Sequence, residues 1–174
     1  MIQIGFRAGD GMVRLRALFV GCVLAGIANP SSAQTPAMTD SEFLVSVTDA
    51  DGVAHVKPSN VVPLIPDRAC YAWRIQLGPG DKLVSATEVF TLPAEPKQWG
   101  GIDGDEYSSS KISGDRKVSE TTLFYKPKDG WISHGWCVAD GDPTGPYSIK
   151  VLVGDRLIHE FQFRVENAPA SSVP

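Results

Sequence analysis

The side chains able to exchange a proton near neutral pH are three histidines, His55, His134 and His159. No two stand at the short spacing that shared zinc ligation needs, so no metal site is expected from them. His159 falls on the apolar side of an alternating segment and is expected to be a packed ring. His134 lies beside Trp131, Trp136 and Cys137 and is the best placed of the three. A hydrolase built on it would need a nucleophile and a carboxylate brought in by the fold. The chain has no Gly-x-Ser-x-Gly elbow, and Ser108-Ser109-Ser110 sits in a polar stretch. A hydrolase around His134 is therefore only a remote alternative to a non-enzymatic protein. No cofactor is implied.

Two acidic runs invite a hard cation, which wants several oxygens at close range. Asp49-Ala50-Asp51-Gly52 reads more simply as a hairpin turn. Asp103, Asp105 and Glu106 form a weak calcium candidate, because neither run continues into a loop of twelve residues with a terminal glutamate. The aromatic residues are a better sign of function. Trp99, Tyr107, Trp131 and Trp136 fall in or beside expected loops, where rings make good anchors at low ordering cost. Trp136 is assigned to the core. Trp99, between Gln98 and Gly100-Gly101, is the preferred exposed anchor, and Tyr107, Trp131 and His134 complete a candidate binding surface.

Compartment and covalent frame come next. Arg14 and Arg16 precede an uncharged run from Ala17 to Ala28, and Ser31 and Ala33 then stand in an A-x-A arrangement. That is the layout of an export signal, with cleavage expected after Ala33. The run is shorter than the roughly 20 residues of a membrane span, so no transmembrane segment is expected once it is removed. Residues 1–11 read as an upstream extension, with Met12 a second candidate start. The expected location is periplasmic or secreted. Cys22 leaves with the signal, so Cys70 and Cys137 remain as an even pair in an oxidising compartment and are expected to be bridged. Both neighbourhoods are aromatic, and the rings are expected to shield the bond.

The elements that must position these residues are strands. Period-two alternation marks a segment starting at Glu42, then Ala69–Leu77, Leu83–Leu92 and Val118–Tyr125. Val61-Val62 is at best an edge piece among prolines. Pro93–Gly114 reads as one long surface loop, and Trp131–Val138 as a short aromatic segment. The clearest unit is Tyr147–Val153 meeting Arg156–Val165 across Gly154-Asp155. There Leu157, His159, Phe161, Phe163 and Val165 are read as one buried face. Residues 34–41 form a polar leader, 42–166 the domain and 167–174 a tail. Nothing in the mature chain shows a helical period. The expected class is an all-β antiparallel sandwich of six to eight strands with one disulfide.

Three features resemble an immunoglobulin-like or fibronectin-type sandwich. They are the Cys70…Cys137 spacing, near that of an inter-sheet bridge, the run Gly145-Pro146-Tyr147-Ser148-Ile149-Lys150-Val151, and the terminal hairpin. In antibody domains the second cysteine follows the corner tyrosine by two residues; here Cys137 precedes Tyr147 by ten. The bridge is therefore not carried over as the usual staple. The resemblance implies binding or scaffolding. A formal charge of −4 argues against nucleic acid, which wants a basic face. The resulting expectation is an exported module of the cell envelope that contacts a protein partner through loop 93–114. The alternative is a carbohydrate-binding accessory domain using the loop aromatics.

Overall fold

The structure is a computed structural model that describes residues 37–78, 82–99 and 109–168. The proposed signal segment, Tyr107 and the acidic cluster Asp103, Asp105 and Glu106 lie outside the described residues. Ten strands are present: β1 Met38–Thr48, β2 Ala54–Pro58, β3 Val61–Leu64, β4 Ala69–Leu77, β5 Val84–Thr91, β6 Ser109–Ile112, β7 Val118–Tyr125, β8 Trp131–Cys137, β9 Gly145–Val153 and β10 Arg156–Asn167. No helix occurs among the described residues. The strands form two sheets, one of four in the order β2-β1-β4-β8 and one of six in the order β3-β10-β9-β5-β7-β6.

Strict alternation of buried side chains makes the sandwich. On β4, Ala69, Tyr71, Trp73, Ile75 and Leu77 are buried, and the residues between them are not. On the opposite sheet Tyr147, Ile149, Val151 and Val153 of β9 and Phe161, Phe163 and Val165 of β10 do the same. Successive side chains in a strand point to opposite faces, so one run of alternate apolar residues is enough to define each inner face. Aromatic rings fill the middle: Phe43 lies 4.6 Å from Phe163, and Phe163 lies 4.9 Å from Tyr71, centroid to centroid.

Four expectations need correction. The strand count exceeds eight, because β6 lies inside the stretch read as one loop. Its four residues, Ser-Ser-Lys-Ile, are too few and too polar to show a period, and they become a strand by pairing with β7. The sandwich is also not wholly antiparallel, since β3 runs parallel to β10. The chain crosses from β2 in one sheet to the edge of the other, and a crossover carries none of the direction reversal that a hairpin imposes. β1 starts at Met38, inside the stretch read as a leader. Leu157, finally, is not on the buried face. A register shift between Leu157 and His159 turns it outward, 49% exposed, while Ile158 packs against the core. One extra residue in a strand reverses the faces on one side of the bulge.

The terminal hairpin and the corner before it match their sequence cues. Gly154, with φ of 60°, opens the two-residue turn between β9 and β10, where left-handed backbone suits the twist of the flanking strands. The Tyr147 hydroxyl donates to the carbonyl of Pro143 at 2.6 Å. A tyrosine at the start of a strand that bonds a few residues upstream is the corner of immunoglobulin-type sandwiches.

Cys70 and Cys137 are bridged. They are direct partners on neighbouring strands β4 and β8, so the bond lies within one sheet and does not join the two. It lies on the outer face, with Cys70 half-buried and Cys137 exposed. The expected aromatic shield is absent because Tyr71, Trp73 and Trp136 alternate onto the other side. Beside it sits Gly135. A Cβ there would stand 2.8 Å from the Tyr71 carbonyl oxygen and 3.0 Å from the Ala72 Cβ. The obstacle is backbone and cannot swing away. Gly135→Ala is expected to cost about 1–3 kcal/mol, the usual range for overpacking, read as a lower midpoint in urea at unchanged slope. An unchanged midpoint would show that β8 slides freely past β4.

Candidate functional site

The most unusual group in the protein is Glu88. It belongs to the inner row of β5, Val84-x-Ala86-x-Glu88-x-Phe90, and is 2% exposed. Burial of a carboxylate costs several kcal/mol unless its oxygens are filled. Here the opposite sheet fills them. The Trp73 indole N–H on β4 donates to Oε2 at 2.5 Å. The Trp136 indole N–H on β8 donates to Oε1 at 2.9 Å. His134 Nδ1, also on β8, lies 3.2 Å from Oε2. With the carboxylate as acceptor, the imidazole proton sits on Nδ1. Indole N–H is a donor only, so the set is chemically matched.

These contacts run between the sheets. Glu88 stands on the six-stranded sheet and its three partners on the four-stranded one. The cluster therefore does what an inter-sheet disulfide does in antibody domains, with hydrogen bonds in place of a covalent bond. Its surroundings are also polar on the β7 side. Thr121, the register partner of Glu88, and Ser119 are both buried. The Thr121 hydroxyl lies 2.9 Å from that of Ser110 on β6 and 3.3 Å from that of Ser119. Tyr125, on the same strand, packs edge-on against Trp73 at 5.9 Å. Burial first, and then the charge of Glu88, raise its phenol pKa well above the ordinary value.

A carboxylate holding an imidazole is two thirds of a nucleophilic triad. The missing third is absent from the described residues: no hydroxyl there hydrogen-bonds to His134, and those of Ser110, Thr121 and Ser119 engage one another. His134 is also mostly enclosed, with 18% of its side chain exposed.

The remaining candidates lie apart from this cluster. Trp99 does not stand free as expected. It packs edge-on against Phe90 at 5.9 Å, and its indole N–H donates to the Arg116 carbonyl at 2.8 Å. Trp131 is the first residue of β8, directly after the turn that precedes the strand, and the Arg74 guanidinium lies over its ring at 4.5 Å. Asp49 does make a turn, accepting from the backbone N–H groups of Asp51 and Val53 and pairing with His55 at 2.7 Å. The His159 ring packs on Phe161 at 4.4 Å. No group of three metal-ligating side chains comes together among the described residues. Glu88, the centre of the site, was not singled out from the sequence. The signal was there, in the in-phase acid between Ala86 and Phe90 of a plainly alternating strand.

Fold and site together define a two-sheet β-sandwich whose polar interior serves to join its layers. A family model described as "PM0630 beta sandwich domain" matches residues 41–166, and the chain belongs to that family. No curated protein shows significant sequence similarity to it. Among solved structures it is similar to an immunoglobulin-like protein from Pseudomonas aeruginosa, at 15% identity and a TM-score of 0.48, covering 78% of this chain and 99% of that one.

Proposed function

We propose that this chain is an exported, non-enzymatic binding or scaffolding module of the cell envelope that meets a protein partner through loop 93–114. The observation that carries the reading is the anchoring of the first stem of that loop, residues 95–99, to the turns at Arg116 and Asp140-Gly141. Arg116 binds Glu95 at 2.6 Å and accepts the Trp99 indole N–H on its carbonyl. Lys97 binds Asp140 at 2.6 Å, and its backbone N–H donates to Gly141. A loop held at its base on a rigid sandwich is the common way for such folds to present a binding segment. The span after that stem carries Ile102, Tyr107 and three acids, Asp103, Asp105 and Glu106. The disulfide is compatible with export. Carbohydrate stacking would need free ring faces, and at Trp131 the face is taken by Arg74.

Ala94 and Gln98 are exposed and take part in none of the anchoring contacts. Capture from envelope extract with the parent protein is expected to yield a stoichiometric partner that the Ala94→Arg, Gln98→Arg double variant loses. Equal capture by both, or none by either, would refute contact through this loop. Retention on a glycan array would instead favour the carbohydrate alternative, and turnover lost in His134→Ala the hydrolase.

A further inference from the structure

Four strands lie at sheet edges: β2, β8, β3 and β6. An edge strand exposes a row of unpaired N–H and C=O groups, and proteins usually guard it with charge, proline or brevity. Three of the four are guarded. β2 carries Lys57 and Pro58, β3 is four residues long with Pro63 inside, and β6 is four residues long with Lys111. β8, Trp-Ile-Ser-His-Gly-Trp-Cys, has seven residues and no charged residue or proline.

The geometry of its free side follows from its bonded one. Val138 N–H donates to Ala69, and Leu77 N–H to Gly130. In an antiparallel ladder bonded pairs alternate with non-bonded ones, so Ile132, His134 and Trp136 face β4 with their backbone groups. Ser133, Gly135 and Cys137 turn theirs away. All three are exposed, and no described residue bonds their amides.

We propose that β8 is the interface for a second copy of this chain, joined antiparallel, edge to edge, about a twofold axis at Gly135. Two four-stranded sheets then become one of eight. The strand fits itself. The axis falls on a residue without a side chain, Ser133 meets Cys137, and His134 meets Trp136, with no charge brought against charge. The proposal is independent of the loop 93–114 reading.

The test uses protein purified after expression of the full chain. Light scattering during size exclusion should give twice the mass of the denatured chain at rising concentration. Ser133→Lys, which adds charge at an exposed edge position, should give a monomer that still melts cooperatively. Hydrogen exchange at Ser133, Gly135 and Cys137 should slow as concentration rises. A monomer at every concentration overturns the proposal, whether those amides exchange fast or are covered from within the same chain. A dimer that survives Ser133→Lys with these amides still fast overturns it as well, since the interface is then elsewhere.

Discussion

Glu88→Ala is expected to be the most damaging single substitution in the sandwich. It strands three N–H groups, those of Trp73, Trp136 and His134, in a closed interior. Removing one side of a buried charged network typically costs about 3–5 kcal/mol, against a usual total stability of roughly 5–15. The larger part of that cost is the desolvation of the donors left behind, more than the bonds themselves. Glu88→Gln should fall between parent and alanine variant, since one amide atom still accepts and the other turns a donor toward a donor. Urea denaturation followed by tryptophan fluorescence reads the effect directly, because Trp73 and Trp136 sit on the carboxylate. A loss under about 1 kcal/mol, no more than an ordinary hydrogen bond, would show that the cluster does not hold the sheets together.

Breaking the disulfide should rank second. Cys70 and Cys137 are 67 residues apart, and the bridge removes that loop from the freedom of the unfolded chain. In the chain-entropy model this is worth roughly 4 kcal/mol, within a usual range of about 2–5. Cys70→Ala and Cys137→Ala should each lower the melting temperature and the yield, and the double variant should be no worse than either. The outer-face position adds a further outcome. Cys137 is exposed, so a small reductant should reach the bond in the folded protein and produce the same drop without mutation. Thiol titration of the unfolded, unreduced protein should find no reactive Cys70 or Cys137. Finding both would remove the bridge.

The two effects divide the labour that antibody-type domains give to one bond. The disulfide fastens β8 to β4 within a sheet, and Glu88 fastens that sheet to the other. Both act on β8, through Cys137 at its end and through His134 and Trp136 along it. Each of the two variants should therefore loosen β8, and the edge it offers, before the centre of the sandwich.

Much of the fold is legible from the residues in order. β4, β7, β9 and most of β10 stand where alternation puts them, because the side to which a strand residue points is set by its own backbone. The Cys70–Cys137 pairing follows from the count of cysteines left once the expected export signal is set aside. β6 was not legible, since four polar residues become a strand only when β7 offers them a ladder. The bulge at Leu157 was not legible either, because an inserted residue leaves the composition of the strand unchanged and shows only in the register against β9. Trp99 and Trp131 read as free anchors in or beside loops, yet each is engaged by a distant group, Arg116 and Arg74, that no local pattern indicates.

By itself, the sequence determined the alternation of the regular strands β4, β5 and β9, which puts Tyr71 and Trp73 on one face and Cys70 on the other and sets Glu88 in phase with Ala86 and Phe90. Only the tertiary structure decided what the inward acid meets. Trp73, His134 and Trp136 are 15, 46 and 48 residues from Glu88, and they converge on it because β4 and β8 are neighbours in the sheet that closes over β5. Alternation is a property of one strand and its backbone. Partnership across the core depends on strand order and sheet closure, which the packing of the whole chain selects.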